Sequence, residues 1–292
     1  MFTVTLIAAP AAANLESALL DGLAKTWGGN SVRWLNPGIA GEFDVQKAPE
    51  DVEQVWADLQ AIGIDLAIQK TVGRRKSILL ADMDSTMISQ ECIDELADVA
   101  GVGTRVADIT ARAMNGELNF HEALIERVGL LAGLQETVID EVLETRITLA
   151  SGGPELVATM RANGGYAALV SGGFISFTGP VAARLGFDEN RANTLLSEGG
   201  VLTGHVALPV LGREAKVEAL REIAAARNLT ADDVIAVGDG ANDLGMLQLA
   251  GAGVALHAKP VVAAQAGLRI NHGDLTALLY LQGYRASEFV TG

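Results

Sequence analysis

Three short apolar runs of this chain each end abruptly in a group of Asp, Ser, Asn and Gly residues. "ILLA" runs into residues 82–86, "AALV" into residues 171–173, and "VIAV" into residues 238–243. Predicted helices separate the runs, and strands that alternate with helices indicate a parallel sheet with helices on both faces. Ligands bind beyond the carboxyl ends of the strands in such a sheet. The pattern therefore predicts an α/β, doubly wound fold with a site built from these three segments.

A helix-rich region separates the first of these strands from the others. Residues 91–149 are rich in good helix formers and contain no proline, which predicts a helical cap inserted after the first core strand. "SGGP" at 151–154 ends this region, since Pro154 suits the first position of a new helix. Further helices are predicted at 155–163 and 215–228. The uncharged stretch 162–183 is long enough to span a bilayer, but glycines and Pro180 interrupt it, and we interpret it as strand and loop.

The first 70 residues follow a different order, which is strand, helix, strand, strand, helix, strand. This is the pattern of a ferredoxin-like α+β domain. The predicted elements are Phe2 to Ala8, Asn14 to Trp27, Ser31 to Leu35, Phe43 to Gln46, Glu50 to Ile62 and Asp65 to Gln69. The basic segment "KTVGRRK" at 70–76 is predicted to link it to the core. The sequence thus predicts an N-terminal domain (1–73), a core (74–90 and 150–292) and a cap (91–149).

Composition excludes some partners. The net charge of -15 argues against a sequence-independent grip on nucleic acid or on an anionic membrane. The only cysteine, Cys92, excludes an internal disulfide and fits a reducing compartment. The opening "MFTVTLIAAPAAAN" weakly resembles a signal peptide, but it lacks a basic n-region, and we interpret it as a first strand. We therefore expect a cytoplasmic protein.

The carboxylates of the three polar segments point to a metal ion. Asp82 and Asp84 lie two residues apart, where like charges repel unless a cation lies between them or one holds a proton. Asp82, Asp239 and Asp243 are hard oxygen donors without a His or Cys partner, which favours Mg²⁺ over zinc. Each segment alone could equally be an ordinary turn or helix N-cap. Their convergence on one sheet edge favours the functional interpretation.

Other phosphate and hydrolase motifs are absent. There is no GxxxxGK[ST], "GDGAND" does not fit GxGxxG, and Ser171 is not in a GxSxG context. Instead "DMDST", "SGG", the later Lys216 and "GDGAND", in this order, resemble the four motifs of the haloacid dehalogenase superfamily of phosphotransferases. The segments "ISQECIDELADVAG", "AMNGELNFHEALIERV" and "VSGGF" are similar to those of its phosphoserine phosphatases. The resemblance spans Lys76 to about Leu279.

The resemblance implies a role for each motif residue. Asp82 is expected to be the nucleophile that forms an aspartyl-phosphate, and Asp84 the general acid and base. Mg²⁺ would be held by Asp82, Asp239 and the backbone carbonyl of Asp84, with Asp243 supporting the ligands from behind. Phosphate would be held by Ser171, Gly172, Lys216 and Asn242. Taken alone, Lys216 would be an ordinary solvated lysine. A proton donor such as Asp84 argues for a phosphatase over a dehalogenase, because an alkoxide needs a proton to leave and a halide does not.

The cap is expected to recognise the substrate. Phe120 and Arg127 are seven residues apart and can share one helix face. The resemblance implies that Glu91 binds the ammonium of O-phosphoserine and Arg127 its carboxylate, with Met114 and Phe120 beside them. A core phenylalanine and solvated charges would be the interpretation without the motifs.

Three alternatives remain open at this stage. The chain could act on another small phosphomonoester, could pass the phosphoryl group to another alcohol, or could be an inactive amino-acid-sensing regulator. The intact Asp82, Asp84, Lys216 and Asp239 argue against the last. The N-terminal domain could bind serine, or could serve only for dimerisation and solubility; a homodimer is possible.

Overall fold

The computed structural model describes residues 1–114 and 117–291. The strands are β1 (Phe2–Ala8), β2 (Asn30–Asn36), β3 (Ala40–Val45), β4 (Ile64–Lys70), β5 (Ile78–Ala81), β6 (Tyr166–Phe174), β7 (Glu189–Asn193), β8 (Leu195–Glu198), β9 (Val201–Val206), β10 (Val234–Gly238), β11 (Ala252–Leu256) and β12 (Leu268–Ile270). The helices are α1 (Ser17–Thr26), α2 (Val52–Gln60), α3 (Cys92–Val99), α4 (Gly103–Met114), α5 (Phe120–Gly129), α6 (Val138–Thr145), α7 (Gly153–Ala162), α8 (Ile175–Leu185), α9 (Arg213–Ala225), α10 (Leu244–Leu249), α11 (Pro260–Ala263) and α12 (Ala277–Leu281).

The core is a six-stranded parallel sheet in the order β12-β11-β10-β5-β6-β7. Both faces are covered, so β5 is buried along its whole length. Ile78 and Leu80 pack with α9 and α10, whereas Leu79 and Ala81 pack with α7, α8 and α12. This alternation follows from the two-residue period of a strand. The α/β sheet predicted from the sequence is confirmed, and β5 with its polar C-terminal end lies at its centre.

The N-terminal domain is a four-stranded antiparallel sheet in the order β2-β3-β1-β4. Its element order is that of the ferredoxin-like pattern predicted from the sequence. One face packs its apolar residues against α1 and α2. The other face contacts the core, since Ile7, Ala40 and Ala67 belong to the same apolar cluster as the core residues Leu278 and Tyr280. Both faces of this sheet are therefore covered.

Polar contacts also join the N-terminal domain to the core. Asn36 donates a hydrogen bond to the Tyr280 hydroxyl at 2.8 Å. Glu42, only 2% exposed, accepts from both Arg33 and Arg74 at 2.7 Å. Asp65, 1% exposed, accepts backbone hydrogen bonds from three successive residues of the loop after β12, at 2.8 to 3.0 Å: Asn271, His272 and Gly273. The predicted linker, residues 70–76, is therefore held against the N-terminal sheet by the ion pair between Arg74 and Glu42.

Substitution of Asp65 is expected to weaken this interface. Asp65→Ala leaves three backbone N–H groups without their shared acceptor, so we expect a loss of stability of about 3 kcal/mol. Thermal unfolding followed by circular dichroism measures the effect, with the exposed Asp58→Ala on α2 as the matched control. Equal melting temperatures for the two variants would show that the contact contributes nothing.

The cap contains α3 to α6 and is attached to the core through two neighbouring chain segments. Ile88 and Leu149 form an antiparallel bridge, and the Ser89 N–H donates to the Thr148 carbonyl at 3.1 Å. The hairpin of β8 and β9 contacts the cap as well, because the Leu202 N–H donates to the Leu134 carbonyl at 2.8 Å. The chain thus enters and leaves the cap at one place.

The structure corrects one prediction within residues 162–183. The stretch interpreted as strand and loop forms β6 and then the helix α8, which runs through Gly179 and Pro180. Proline removes one helical hydrogen bond. Phe177, Val181 and Leu185 are nevertheless buried on one side of α8, so packing outweighs local propensity. In the described part of the chain, no helix has the length and apolarity needed to cross a membrane.

Candidate active site

Three carboxylates meet at the carboxyl end of the central strands. Asp82 directly follows β5, and Asp239 and Asp243 follow the neighbouring strand β10. The Asp82 N–H donates to the Val237 carbonyl at 3.0 Å, which continues the ladder between the strands. One oxygen from each carboxylate lies within 4.8 Å of the others. The parallel register thus brings together residues that the sequence separates widely.

Lys216 supplies the positive charge in this group. It lies in the first turn of α9 and is 1% exposed. Its Nζ is 2.6 Å from Asp82 Oδ1 and 2.6 Å from Asp243 Oδ1. Asp243 Oδ2 in turn accepts from the Gly240 N–H at 3.0 Å. Lys216 is therefore a buried bridge between two carboxylates, which differs from the solvated lysine expected of this residue alone.

The three carboxylates carry more negative charge than the single ammonium group of Lys216 can neutralise. Burial, and next the charge of Asp243, raise the pKa of Asp82 well above its usual range. The same two causes raise the pKa of Asp239 to about 6. A divalent cation would reverse both effects, because it favours the ionised form of each ligand. An oxygen-only donor set of this kind fits a hard cation such as Mg²⁺.

The side chain of Asp84 lies apart from the three-carboxylate group. Its Oδ1 accepts from the Cys92 N–H at the start of α3, at 3.1 Å. Burial, and next the charge of Glu91, raise the pKa of Asp84 to about 7. A carboxyl group with such a pKa can both give and take a proton near neutral pH. This placement suits the predicted general acid and base.

The C-terminal part of β6 faces Asp84. The Ser171 hydroxyl oxygen accepts from the Gly173 N–H at 2.8 Å. A Cβ atom on Gly173 would lie 2.7 Å from Asp84 Oδ2, so a larger residue there would displace the Asp84 carboxylate. A Cβ atom on Gly172 would lie 3.8 Å from Asn242 Nδ2. Three of the residues predicted to hold phosphate, Ser171, Gly172 and Asn242, therefore lie together beside Asp84.

Phe120 of the cap lies over Gly172, and Glu91 lies where the cap begins. The Phe120 ring packs on the core, because a Cβ atom on Gly172 would lie 2.9 Å from it and one on Gly212 would lie 3.2 Å from it. Glu91 is the N-cap residue of α3, and its Oε1 accepts from the Ser85 hydroxyl at 2.6 Å. Met114 is the last residue of α4, and its side chain lies outside the described part of the structure.

Arg127 is a half-buried cation on α5. It donates to the Ala123 carbonyl at 3.2 Å and to the Thr110 hydroxyl at 3.4 Å. Burial lowers the pKa of Arg127, against the charges of Asp94, Glu91 and Asp84. In the described ranges, no carboxylate lies within ion-pair distance of it. Its guanidinium can therefore accept an anionic ligand.

Sequence reasoning missed several residues at the site. Buried Thr86 donates to Asp239 at 3.4 Å, and its place in "DMDST" was a signal for it. Asp94 has a buried Oδ1 without a hydrogen-bond partner among the described residues. Asn193 binds the Gly172 carbonyl at 2.8 Å, and nothing in its local sequence indicated this.

The fold and the site define a class of protein. Residues 79–248 match the family model of the haloacid dehalogenase-like hydrolases, and the chain belongs to this family. Curated relatives include the phosphoserine phosphatase of Lactococcus lactis subsp. lactis, 43% identical over 70% of this chain and 94% of that protein. The phosphoserine phosphatase of Streptomyces coelicolor is 41% identical over 78% of this chain, which spans 56% of its length. The resemblance inferred from the motifs is confirmed.

Solved structures of related proteins share the fold of this chain. A haloacid dehalogenase family hydrolase from Salmonella enterica serovar Typhi is 30% identical, with a TM-score of 0.87 over 96% of this chain and 98% of that one. A phospho-aspartyl intermediate analogue of a phosphoserine phosphatase is 39% identical, with a TM-score of 0.66 over 70% of this chain and 98% of that one.

Proposed function

We propose that this chain is a Mg²⁺-dependent phosphoserine phosphatase, which hydrolyses O-phosphoserine to serine and phosphate. The observation that carries the proposal is the pairing of Asp82 in the Lys216-bridged carboxylate group with Asp84 outside it. One aspartate is thus placed for attack and the other for proton transfer. The phosphoserine phosphatases among the relatives support the substrate.

In the first step, an Asp82 carboxylate oxygen attacks phosphorus and the bond from phosphorus to the seryl oxygen breaks. The seryl oxygen leaves with the electron pair and takes the proton of Asp84. A carboxyl group whose pKa is about 7 is protonated in part at neutral pH, as this step requires. The product is an aspartyl-phosphate on Asp82 and free serine.

In the second step, water attacks the phosphorus of the aspartyl-phosphate. Asp84, now ionised, takes a proton from this water, and the bond between phosphorus and the Asp82 oxygen breaks. Inorganic phosphate leaves and both aspartates return to their starting states. The same residue therefore acts as acid and then as base.

Charge on the phosphoryl group must be held during both steps. Mg²⁺ bound by Asp82, Asp239 and the Asp84 carbonyl, with Asp243 behind them, would neutralise charge on the phosphoryl oxygens. Lys216 already bridges Asp82 and Asp243, so it stands beside the reacting oxygen. Ser171, Gly172 and Asn242 border the space for the other phosphoryl oxygens.

The cap supplies recognition of the amino acid. The guanidinium of Arg127 is available for the substrate carboxylate, and Glu91 for its ammonium group. Phe120 closes the space over Gly172, with Met114 expected nearby. We also propose that the chain is divided into an N-terminal domain (1–73), a core (74–90 and 150–292) and a cap (91–149). The proposed protein is cytoplasmic, catalyses the last step of serine biosynthesis and can form a homodimer.

The test is phosphate release from a panel of phosphomonoesters. We expect O-phosphoserine to exceed phosphoethanolamine and phosphothreonine in kcat/KM, and EDTA to abolish release until Mg²⁺ is restored. Preference for another ester would replace the substrate assignment. No release from any ester with Mg²⁺ would favour an inactive sensor instead.

A further inference from the structure

Strand β6 is irregular at the residues that border the phosphate space. Val170 pairs with Arg191 and Phe174 pairs with Asn193 on β7, so the four-residue step on β6 faces a two-residue step on β7. The segment from Ser171 to Gly173 is therefore a bulge, and a bulge leaves backbone groups without their ladder partners.

The side chain of Asn193 takes the place of the missing ladder bonds. Its amide nitrogen donates to the Gly172 carbonyl at 2.8 Å and to the Leu211 carbonyl at 3.1 Å. Its amide oxygen accepts from the Leu211 N–H at 2.7 Å. Asn193 is 3% exposed, so these three bonds are shielded from water. One buried amide thus joins the bulge to the loop that leads into α9.

A rigid peptide group connects the hydrogen bond between Asn193 and Gly172 to the Ser171 hydroxyl. The Gly172 carbonyl and the Gly173 N–H belong to the same planar peptide group. Asn193 holds one end of this group, and the other end donates to the Ser171 hydroxyl oxygen at 2.8 Å. Among the described residues the Ser171 hydroxyl donates to no other group, so its proton is free to donate to a phosphoryl oxygen, and the bond from Gly173 sets the direction of that proton.

We propose that Asn193 is a positioning residue that holds the Gly172–Gly173 peptide and thereby orients the Ser171 hydroxyl as a donor to the phosphoryl group. The inference rests on the proposed function through the phosphate-binding role of Ser171. An aspartate at this position keeps the acceptor for Leu211 but places an oxygen against two carbonyl oxygens. The peptide then loses the bond that fixes its plane.

A double-mutant cycle tests this coupling. Asn193→Asp is expected to lower kcat/KM for O-phosphoserine and the affinity for inorganic phosphate with Mg²⁺ by about 10- to 100-fold. In the Ser171→Ala background, the same change should lower either quantity by less than about threefold, because the group it acts through is gone. Equal losses in both backgrounds, or no loss in the first, would overturn the inference.

Asn190→Asp on the same strand is the matched control. Among the described residues, the Asn190 side chain bonds only through its amide oxygen, which accepts from the Thr178 hydroxyl at 2.8 Å, so aspartate keeps this bond and wild-type values are expected. Asn193→Ser removes the bonds without adding charge and carries the test if Asn193→Asp does not fold. Unfolding of both variants would assign Asn193 a structural role and overturn the inference.

Phosphate binding separates this inference from the substrate assignment. The wild-type chain could turn over another ester while the double-mutant cycle still shows coupling between Asn193 and Ser171 in the affinity for inorganic phosphate. This result would contradict the proposed substrate and support the role of Asn193. A wild-type chain that does not bind inorganic phosphate with Mg²⁺ would overturn the role of Asn193.

Discussion

Asp82→Asn is expected to abolish turnover, with kcat reduced at least about 10,000-fold, because an amide cannot serve as the attacking nucleophile. The fold should persist, since the change is nearly isosteric and the amide oxygen can still accept from Lys216. Burial and Asp243 already raise the pKa of this carboxyl, so removing its charge relieves a desolvation cost. Phosphate release and melting temperature measure the two effects.

Quenching the enzyme during turnover adds a second measurement for Asp82. Mass spectrometry should find a phosphoryl adduct in the wild-type chain and none in Asp82→Asn. The control is Asp21→Asn, an exposed residue of α1, which should retain both turnover and adduct. A phosphoryl adduct in Asp82→Asn would show that another residue is the nucleophile. Substantial turnover would show the same, provided that it does not increase on storage as it would if the asparagine deamidated to aspartate.

Arg127→Lys is expected to lower kcat/KM for O-phosphoserine strongly. The planar guanidinium can bind a carboxylate with two parallel hydrogen bonds, which lysine cannot reproduce. Loss of one partner of a buried charge pair costs on the order of 2 to 5 kcal/mol, about 30-fold to several thousand-fold in kcat/KM. Phosphoethanolamine lacks the carboxylate, so it should be a poor substrate of the native enzyme and be far less affected by the substitution.

The difference between the two substrates is the measurement that matters for Arg127. A general disturbance of the cap would depress both alike, and equal losses would mean that Arg127 supports the fold or holds phosphate. Arg112→Lys is the matched control, because Arg112 lies on α4 and pairs with Glu126 at 3.4 Å on the exposed side of the cap. It should leave both substrates unaffected.

The central part of the fold was predictable from the sequence because its strands are buried on both faces. Such strands read as unbroken apolar runs, as in β5 and β10, and the polar residues after them lie at one sheet edge by the geometry of parallel strands. The identities of Asp82, Asp84 and Asp239 followed from this edge together with the motifs. Their roles stay predictions until the variants are measured.

Other elements gave no such signal. The edge strand β7, "ENRAN", is polar and pairs on one side only, so it lacks the apolar run of a central strand. The hairpin of β8 and β9 owes part of its support to the cap loop, with which Val201 forms a bridge. The role proposed for Asn193 depends on a bulge in another strand, so no local pattern could reveal it. These features arise only from tertiary packing.

The position of β5 between β6 and β10 also determines when the site can form during folding. Asp82 and its neighbours Asp239 and Asp243 are separated by more than half of the chain, with the whole cap, the core strands β6 and β7 and the hairpin of β8 and β9 between them in sequence. Contacts between residues so far apart in sequence form late in folding, because the intervening chain must first lose conformational entropy. A nascent chain that has not yet produced β10 therefore carries Asp82 without its partners Asp239 and Asp243, and hydrolytic competence should appear in a single late event.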